Sequence, residues 1–374
     1  MVRILSQKHT KNTKQMKRIR YFLLILPLLL GLNFMSSAQD IHFSQFYQSP
    51  LNLNPAMTGV MNCNVRFVAN YRNQWASVLR ANAFNTYSVS YDQKFTAFRR
   101  DYFGVGATFW GDRAGEVSFS TLQGRISGSF SKYLGGGRSQ AHYLVVGVDG
   151  GLAQRSIDFA NARYGNQNIN GVFDGSIASG EEGNFERNNF LFGDLSAGIL
   201  WFSNWGDNRS FYAGGAYHHI NSPNQSFTED QEVFLYSRYT LHAGGEFPVN
   251  RNMSLVPGLV TFFQGPSWQL NGGTSMRFQL GSSRYDNQSF QFGAWIRLVN
   301  QYQWSAEMIE DYSLGADAII LSTRFQYNNF DFGFSYDVNV SPLRTGANGN
   351  GAFEFSMIYT ICGPERRGVY CPVF

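Results

Sequence analysis

The chain has 374 residues, of which 15% are charged and 16% aromatic, with 34 Phe, 20 Tyr and 39 Gly. That charge content is far below the ~25% of ordinary soluble domains, and so many aromatics and glycines exclude a disordered chain, a coiled coil or a helical repeat. The net charge of +4 sits in the first 38 residues, which hold seven bases and no acid; the rest has 23 basic against 26 acidic residues and lacks the basic surface that a nucleic-acid partner needs.

Residues 1–38 read as a secretory signal peptide. Lys17-Arg18-Ile19-Arg20 is the basic region, Tyr21 to Leu32 the apolar run, and Ser36-Ser37-Ala38 the small residues before cleavage. Met16, just before the basic region, is an alternative start. The apolar run is too short for a spanning helix, which needs ~20 residues.

Residues 39–62 are aromatic and rich in turn formers but lack strand periodicity. Phe43, Phe46 and Tyr47 stand close together, followed by Leu53-Asn54-Pro55-Ala56. A floppy tail has no need of such residues. The segment is therefore either a periplasmic arm or a plug folded into a lumen.

Beyond it the dominant signal is a period of two. Phe330, Phe332, Phe334, Tyr336, Val338 and Val340 alternate with Asp331, Gly333, Ser335, Asp337 and Asn339. Only a strand puts these sets on opposite faces. Fourteen strands are predicted, at 64–72, 84–92, 103–110, 117–131, 142–154, 190–202, 211–220, 235–247, 253–263, 267–280, 290–299, 313–326, 328–340 and 353–361. Most are the ~9–11 residues that a tilted strand needs to cross a bilayer, and outer-membrane barrels have even strand numbers. Mean hydropathy is only −0.26, as expected for alternation. The expected fold is all-β: a transmembrane outer-membrane barrel of about 14 antiparallel strands over 63–361, with an N-terminal periplasmic arm or plug and a C-terminal tail at 362–374. With both termini periplasmic, the longer connections, above all 155–189, alternate onto the outer side. Arg66, Arg72, Asp92, Asp331, Asp337 and Glu354 are then lumen-facing, in either a salt-bridged interior or a polar channel.

Three cysteines follow the leader: Cys63, Cys362 and Cys371. Cys362 and Cys371 are expected to pair and hold the tail. No metal or cofactor is expected. His218 and His219 are adjacent on a strand and so should point to opposite faces. Asp158, Asp174, Glu181, Glu182 and Glu186 in loop 155–189 lack the spacing of a calcium loop and read as solvated. Gly135-Gly136-Gly137 reads as a turn, and no nucleophile, base and orienting group stand out, so no enzyme is expected.

His42-Phe43-Ser44-Gln45-Phe46-Tyr47, Leu53-Asn54-Pro55-Ala56, Tyr71-Arg72-Asn73-Gln74-Trp75 and the closing Cys371-Pro372-Val373-Phe374 together resemble the PorP/SprF outer-membrane proteins of the Bacteroidetes type IX secretion and gliding system. Cys63 and loop 155–189 have no counterpart in that pattern. The resemblance implies a non-enzymatic barrel that works with periplasmic ring components and helps export or anchor a large secreted adhesin or cargo protein. It makes His42, Phe43, Gln45, Phe46, Tyr47, Asn54, Pro55, Arg72, Asn73, Gln74 and Trp75 candidate partner-binding residues. Tyr71 and Trp75 serve equally well as interface aromatics. Machinery contacts are expected at the head and tail, and cargo at the outer loops. The competing reading is a channel for small or hydrophobic solutes with an N-terminal hatch.

Overall fold

The computed structural model describes residues 40–98, 100–137, 140–170, 172–179, 187–206, 209–228, 232–281, 288–304, 310–342 and 344–363. The signal peptide, the acids at 181, 182 and 186, and the last eleven residues with Cys371 lie outside them.

Strands follow the alternation closely. In chain order they are β1 (Val65–Gln74), β2 (Phe84–Thr96), β3 (Tyr102–Ala114), β4 (Phe119–Gly135), β5 (Gln140–Ser156), the short β6 (Asn168–Ile169) and β7 (Val172–Phe173), then β8 (Asn189–Trp205), β9 (Arg209–His218), β10 (Arg238–Pro248), β11 (Met253–Gln264), β12 (Ser267–Gln279), β13 (Gln288–Trp304), β14 (Glu310–Tyr327), β15 (Phe330–Asn339) and β16 (Asn350–Ile361). All but β6 and β7 form one closed antiparallel barrel, sealed by β1 against β16 from Val65↔Ile361 to Gln74↔Ala352. These fourteen strands coincide with the fourteen expected from sequence. The β6–β7 hairpin escaped notice because two-residue strands carry no readable period.

Which face is which follows from burial. On β15, Phe330, Phe332 and Phe334 are exposed, while Asp331, Ser335 and Asp337 are buried. A water-soluble protein would do the reverse. The aromatic outer face and polar inner face match a barrel immersed in lipid. Outward rings gather near both ends: Phe67, Tyr91, Phe330 and Tyr359 by the end that carries Val65 and Ile361, and Tyr71, Tyr87, Phe109 and Phe353 by the other. We refer to these as the terminal end and the loop end. Short turns such as 97–101, 249–252 and 328–329 close the terminal end, whereas the connections 157–188 and 219–237 lie at the loop end.

The lumen is not open. Residues 43–61, all but the half-buried Asn52, are buried inside it, and their apolar side chains build the core. Phe46, Tyr47, Leu53, Ala56, Met57 and Val60 pack against the inward Tyr102, Tyr143, Leu200, Phe202, Tyr212 and Trp295. Of the two forms open for the head, the plug is the one that folds. The reason is plain: a free arm would leave these apolar groups in water and the lumen charges without partners.

The disulfide joins Cys63 to Cys362. The expected Cys362–Cys371 pairing is thereby corrected. Sequence proximity favoured the nearer pair, but Cys63 precedes β1 and Cys362 follows β16, and barrel closure makes those ends neighbours.

Candidate functional site: the lumen plug

The plug crosses the lumen lengthwise. At its start Asp40 meets residues of the loop end, and at its finish Cys63 is tied to the terminal end. The head therefore does not lie at the terminal end alone, as loop parity suggested, but runs through the barrel interior from the loop end to the terminal end.

At the loop end Asp40 forms an ion pair with Arg238 Nη1 at 3.1 Å and bonds His219 Nε2 at 3.0 Å, while its backbone N–H donates to Gln264 Oε1 at 2.9 Å. The other nitrogen of His219 lies 2.9 Å from Asp194, which also accepts from Gln123 Nε2 at 2.7 Å. Burial by itself would push the His219 imidazole down. The carboxylates of Asp40 and Asp194 outweigh it and hold the group up at about 9. Burial would likewise raise Asp40, but Arg238 and His219 keep its carboxyl well below the usual range. His218 and His219 do not point to opposite faces. His219 has a left-handed backbone (φ 58), which ends the alternation and buries both rings, with centroids 6.4 Å apart.

One turn further, the plug meets a denser cluster. Glu354 accepts from the backbone N–H of Ser44 at 2.5 Å and of Gln45 at 2.9 Å. Arg72 pairs with Glu354 and, at 3.1 Å, with Asp337. Arg297 pairs with Asp337 at 2.7 Å and with Asp317 at 3.3 Å. The Ser44 hydroxyl donates to Asp337 at 2.8 Å and accepts from Arg72 at 2.8 Å. Two guanidinium groups, two buried carboxylates and two plug N–H groups thus meet out of water, with only Arg297 Nε and Asp337 Oδ1 among their buried atoms left without a hydrogen-bond partner.

Below it the contacts change character. Phe46 meets Trp295 edge-on at 5.6 Å and Tyr47 stacks on it at 5.4 Å. Gln48 and Gln45 accept from Ser356, and the Gln48 carbonyl accepts from Asn70 Nδ2 at 3.1 Å. The Leu53-Asn54-Pro55-Ala56 turn is shaped locally. Asn54 caps a short 3-10 turn through Ala56 N–H at 2.8 Å, and its amide nitrogen donates to the wall carbonyls of Ile199 at 3.0 Å and Gly215 at 3.2 Å. Two wall glycines make room for it. A Cβ on Gly198 would strike the Asn54 amide, and one on Gly147 would lie 2.5 Å from the backbone of Ala56. At the terminal end Gly59 N–H donates to Asp92 at 2.7 Å, and Asp92 pairs with Arg66 at 2.7 Å.

The candidate residues named from sequence therefore separate into three groups. Phe43, Gln45, Phe46 and Tyr47 are buried beside the Arg72 cluster, with His42 half-buried against Arg238 and Gln264. Asn54 and Pro55 sit apart, against β5, β8 and β9. Asn73, Gln74 and Trp75 mark the loop-end rim: Asn73 donates to Asn85 at 2.7 Å, Gln74 accepts from Arg72 at 3.3 Å, and Trp75 packs on Phe84 at 5.2 Å. The lumen charges Arg66, Arg72, Asp92, Asp331, Asp337 and Glu354 are all buried as expected, and they form ion pairs. Sequence reading missed Asp40, His219, Arg238 and Arg297. Arg238 and Arg297 were legible as inward positions of their strands, but nothing local marked Asp40 as the partner of Arg238.

Two small spaces lie between the plug and the wall. About 20 Å³ lies beside His42 and about 10 Å³ beside Phe46, Tyr47 and Trp295, the room of one water or less. In loop 157–188, Asp158 caps a turn at Ala160 and Asp174 caps one at Ser176.

A model of the type IX secretion system membrane protein family PorP/SprF matches residues 35–359. The chain belongs to that family. With its closed fourteen-strand barrel, this makes it an outer-membrane protein of a Gram-negative bacterium and part of the type IX secretion context. No curated protein matches it. Among solved structures it is similar to the toluene transporter TbuX of Ralstonia pickettii (10% identity, 88% of this chain and 96% of that one, TM-score 0.44). Values for the CymD monoaromatic hydrocarbon channel are 10%, 88%, 95% and 0.44, and for CdiB from Acinetobacter baumannii 8%, 79%, 60% and 0.40. Similarity at this level carries no argument about what this PorP/SprF barrel handles.

Proposed function

We propose that this barrel is a non-enzymatic, permanently plugged component of type IX secretion. It helps export or anchor a large secreted adhesin or cargo protein at its loop end and meets the periplasmic machinery at its terminal end. The observation that carries this reading is the filled lumen. A solute channel with a hatch needs a hatch that leaves, whereas this plug supplies the apolar core and the partners of buried charges. Family membership supports the secretion context. The long connections 157–188 and 219–237 offer the cargo-facing surface, and the short turns offer the machinery-facing one. The test is a pull-down of the tagged barrel from gently solubilised outer membranes, read by mass spectrometry. Recovery of one very large secreted protein or of periplasmic ring components is expected. A barrel recovered alone from cells expressing the system, together with solute-dependent conductance, would overturn the reading in favour of a channel.

A further inference from the structure

The lipid-facing surface is uneven. Of the described strand cations, Arg66, Arg72, Arg125, Arg238, Arg277, Arg297 and Arg324 are buried on inward positions, and Lys94 and Arg155 are half-buried on the same face, donating to the Met61 carbonyl and the Thr121 hydroxyl. Arg113 faces outward at the loop end. At the terminal end just two face outward, Lys132 on β4 and Arg209 on β9, and both fall in one sector, β4–β5–β8–β9. The same level of the other described strands carries no cation outward and is dominated by rings such as Phe67, Phe103, Phe278, Phe290 and Phe330.

Strand register fixes what lies between the two cations. Lys132 stands opposite Leu144, which stands opposite Trp201. His142 stands opposite Ser203, and Ser203 opposite Phe211. Trp205 stands opposite both Gln140 and Arg209. The His142 ring lies parallel to Trp201 and edge-on to Trp205, each at 6.5 Å, and its Nδ1 is 2.7 Å from the Ser203 hydroxyl. Asp101 takes one ammonium N–H of Lys132 at 2.7 Å, yet the lysine side chain stays 58% exposed. No described acid pairs with Arg209. The two cations stand three strand spacings apart, about 14 Å, and four residues apart along the strands, about 13 Å, which is too wide for a single phosphate and leaves each cation to its own headgroup.

Indole rings at headgroup level flanked by cations are the chemistry of an interface that holds phosphate-bearing lipid. We propose that this strip is a binding surface for anionic glycerophospholipid of the periplasmic leaflet, with Lys132 and Arg209 on the phosphates and Trp201, Trp205 and His142 packing the glycerol and upper acyl region.

The test uses the full chain in neutral detergent, titrated with phosphatidylglycerol, phosphatidylcholine or inorganic phosphate while the unfolding midpoint is read. Phosphatidylglycerol alone should raise the midpoint. Lys132→Gln with Arg209→Gln should lose most of that rise, and Arg113→Gln should keep it. An equal rise with phosphatidylcholine or inorganic phosphate, or a full rise in the double variant, would overturn the proposal. Should the double variant fail to fold, the wild-type chain still decides. Brominated phosphatidylglycerol should quench tryptophan emission more than brominated phosphatidylcholine, and Trp201→Phe with Trp205→Phe should remove the excess. Equal quenching by the two lipids would overturn it.

Discussion

The two halves of the plug are held by different physics. From Asp40 to Gln45 the contacts are ionic and charge-assisted, to Arg238, His219, Arg72, Glu354 and Asp337. From Phe46 to Val60 they are mainly ring packing, backbone fit and wall glycines, joined by Arg125 on Asn52 and by the Arg66–Asp92 pair on the backbone of Met57 and Gly59, with a covalent tie just beyond at Cys63. The first half is specified by charges whose partners lie on distant strands, and any change of protonation or pairing reaches it. The second half is specified mainly by shape, which volume changes reach, with the Arg66–Asp92 pair as its one ionic anchor at the terminal end.

This contrast can be broken most forcefully at Arg72. Arg72→Ala leaves Glu354 buried without its cation, and roughly 3–5 kcal/mol of stability should be lost. The loss would show as a lower denaturant midpoint and easier proteolysis of the head. A drop under 1 kcal/mol would mean that the cluster is solvated. Next comes Cys63→Ser, where about 2–4 kcal/mol is expected for a cross-link closing so long a loop. The altered mobility on non-reducing gels should vanish with this variant and survive Cys371→Ser; the reverse result would restore the pairing with Cys371. In the shape-held half, Gly198→Ala pushes a methyl into the Asn54 amide and should lower stability by about 1–3 kcal/mol at every pH. An unchanged midpoint would show that the turn can shift aside.

The smallest effect sharpens the contrast through pH. His219 is held above its unfolded value, so its stabilisation is fully present below pH ~6.5 and is lost as pH rises through about 9. Asp40, held low, stays ionised throughout that window. His219→Asn should therefore lower the unfolding midpoint by about 1–2 kcal/mol near neutrality. The gap to wild type should close above pH 9. A gap that is constant with pH would make His219 a packing residue only.

Much of the fold was legible because alternation is a local property. Each residue of β15 declares its face without reference to any other strand. Lumen charges such as Asp337 and Glu354 were legible for the same reason. What stayed hidden depends on contacts distant in sequence. Asp40 and His219 lie 179 residues apart, and no spacing rule joins them. The Cys63–Cys362 bond spans 299 residues, so the nearer cysteine misled. The His218-His219 pair misled differently, because a left-handed residue at a strand end reverses the face that alternation assigns. Of the Tyr71 to Trp75 motif, sequence raised both roles but could not divide them: Arg72 turns inward to the plug, while Tyr71 faces outward and Trp75 packs on Phe84 at the loop-end rim.

The seam between β1 and β16 sets an order of events in assembly. The first strand of the wall pairs with the last, so the cylinder cannot close until the final dozen residues of the barrel have arrived. The plug precedes β1 and is threaded the length of that cylinder. It must be laid against the growing sheet before closure or slid in through an open end afterwards. Its glycine niches on β5 and β8 are complete halfway through the chain, which favours a half-built sheet curling around a plug already seated. The head would then act as a template for the curvature of the wall, and pairing of the two most distant strands would be the slow, committing step.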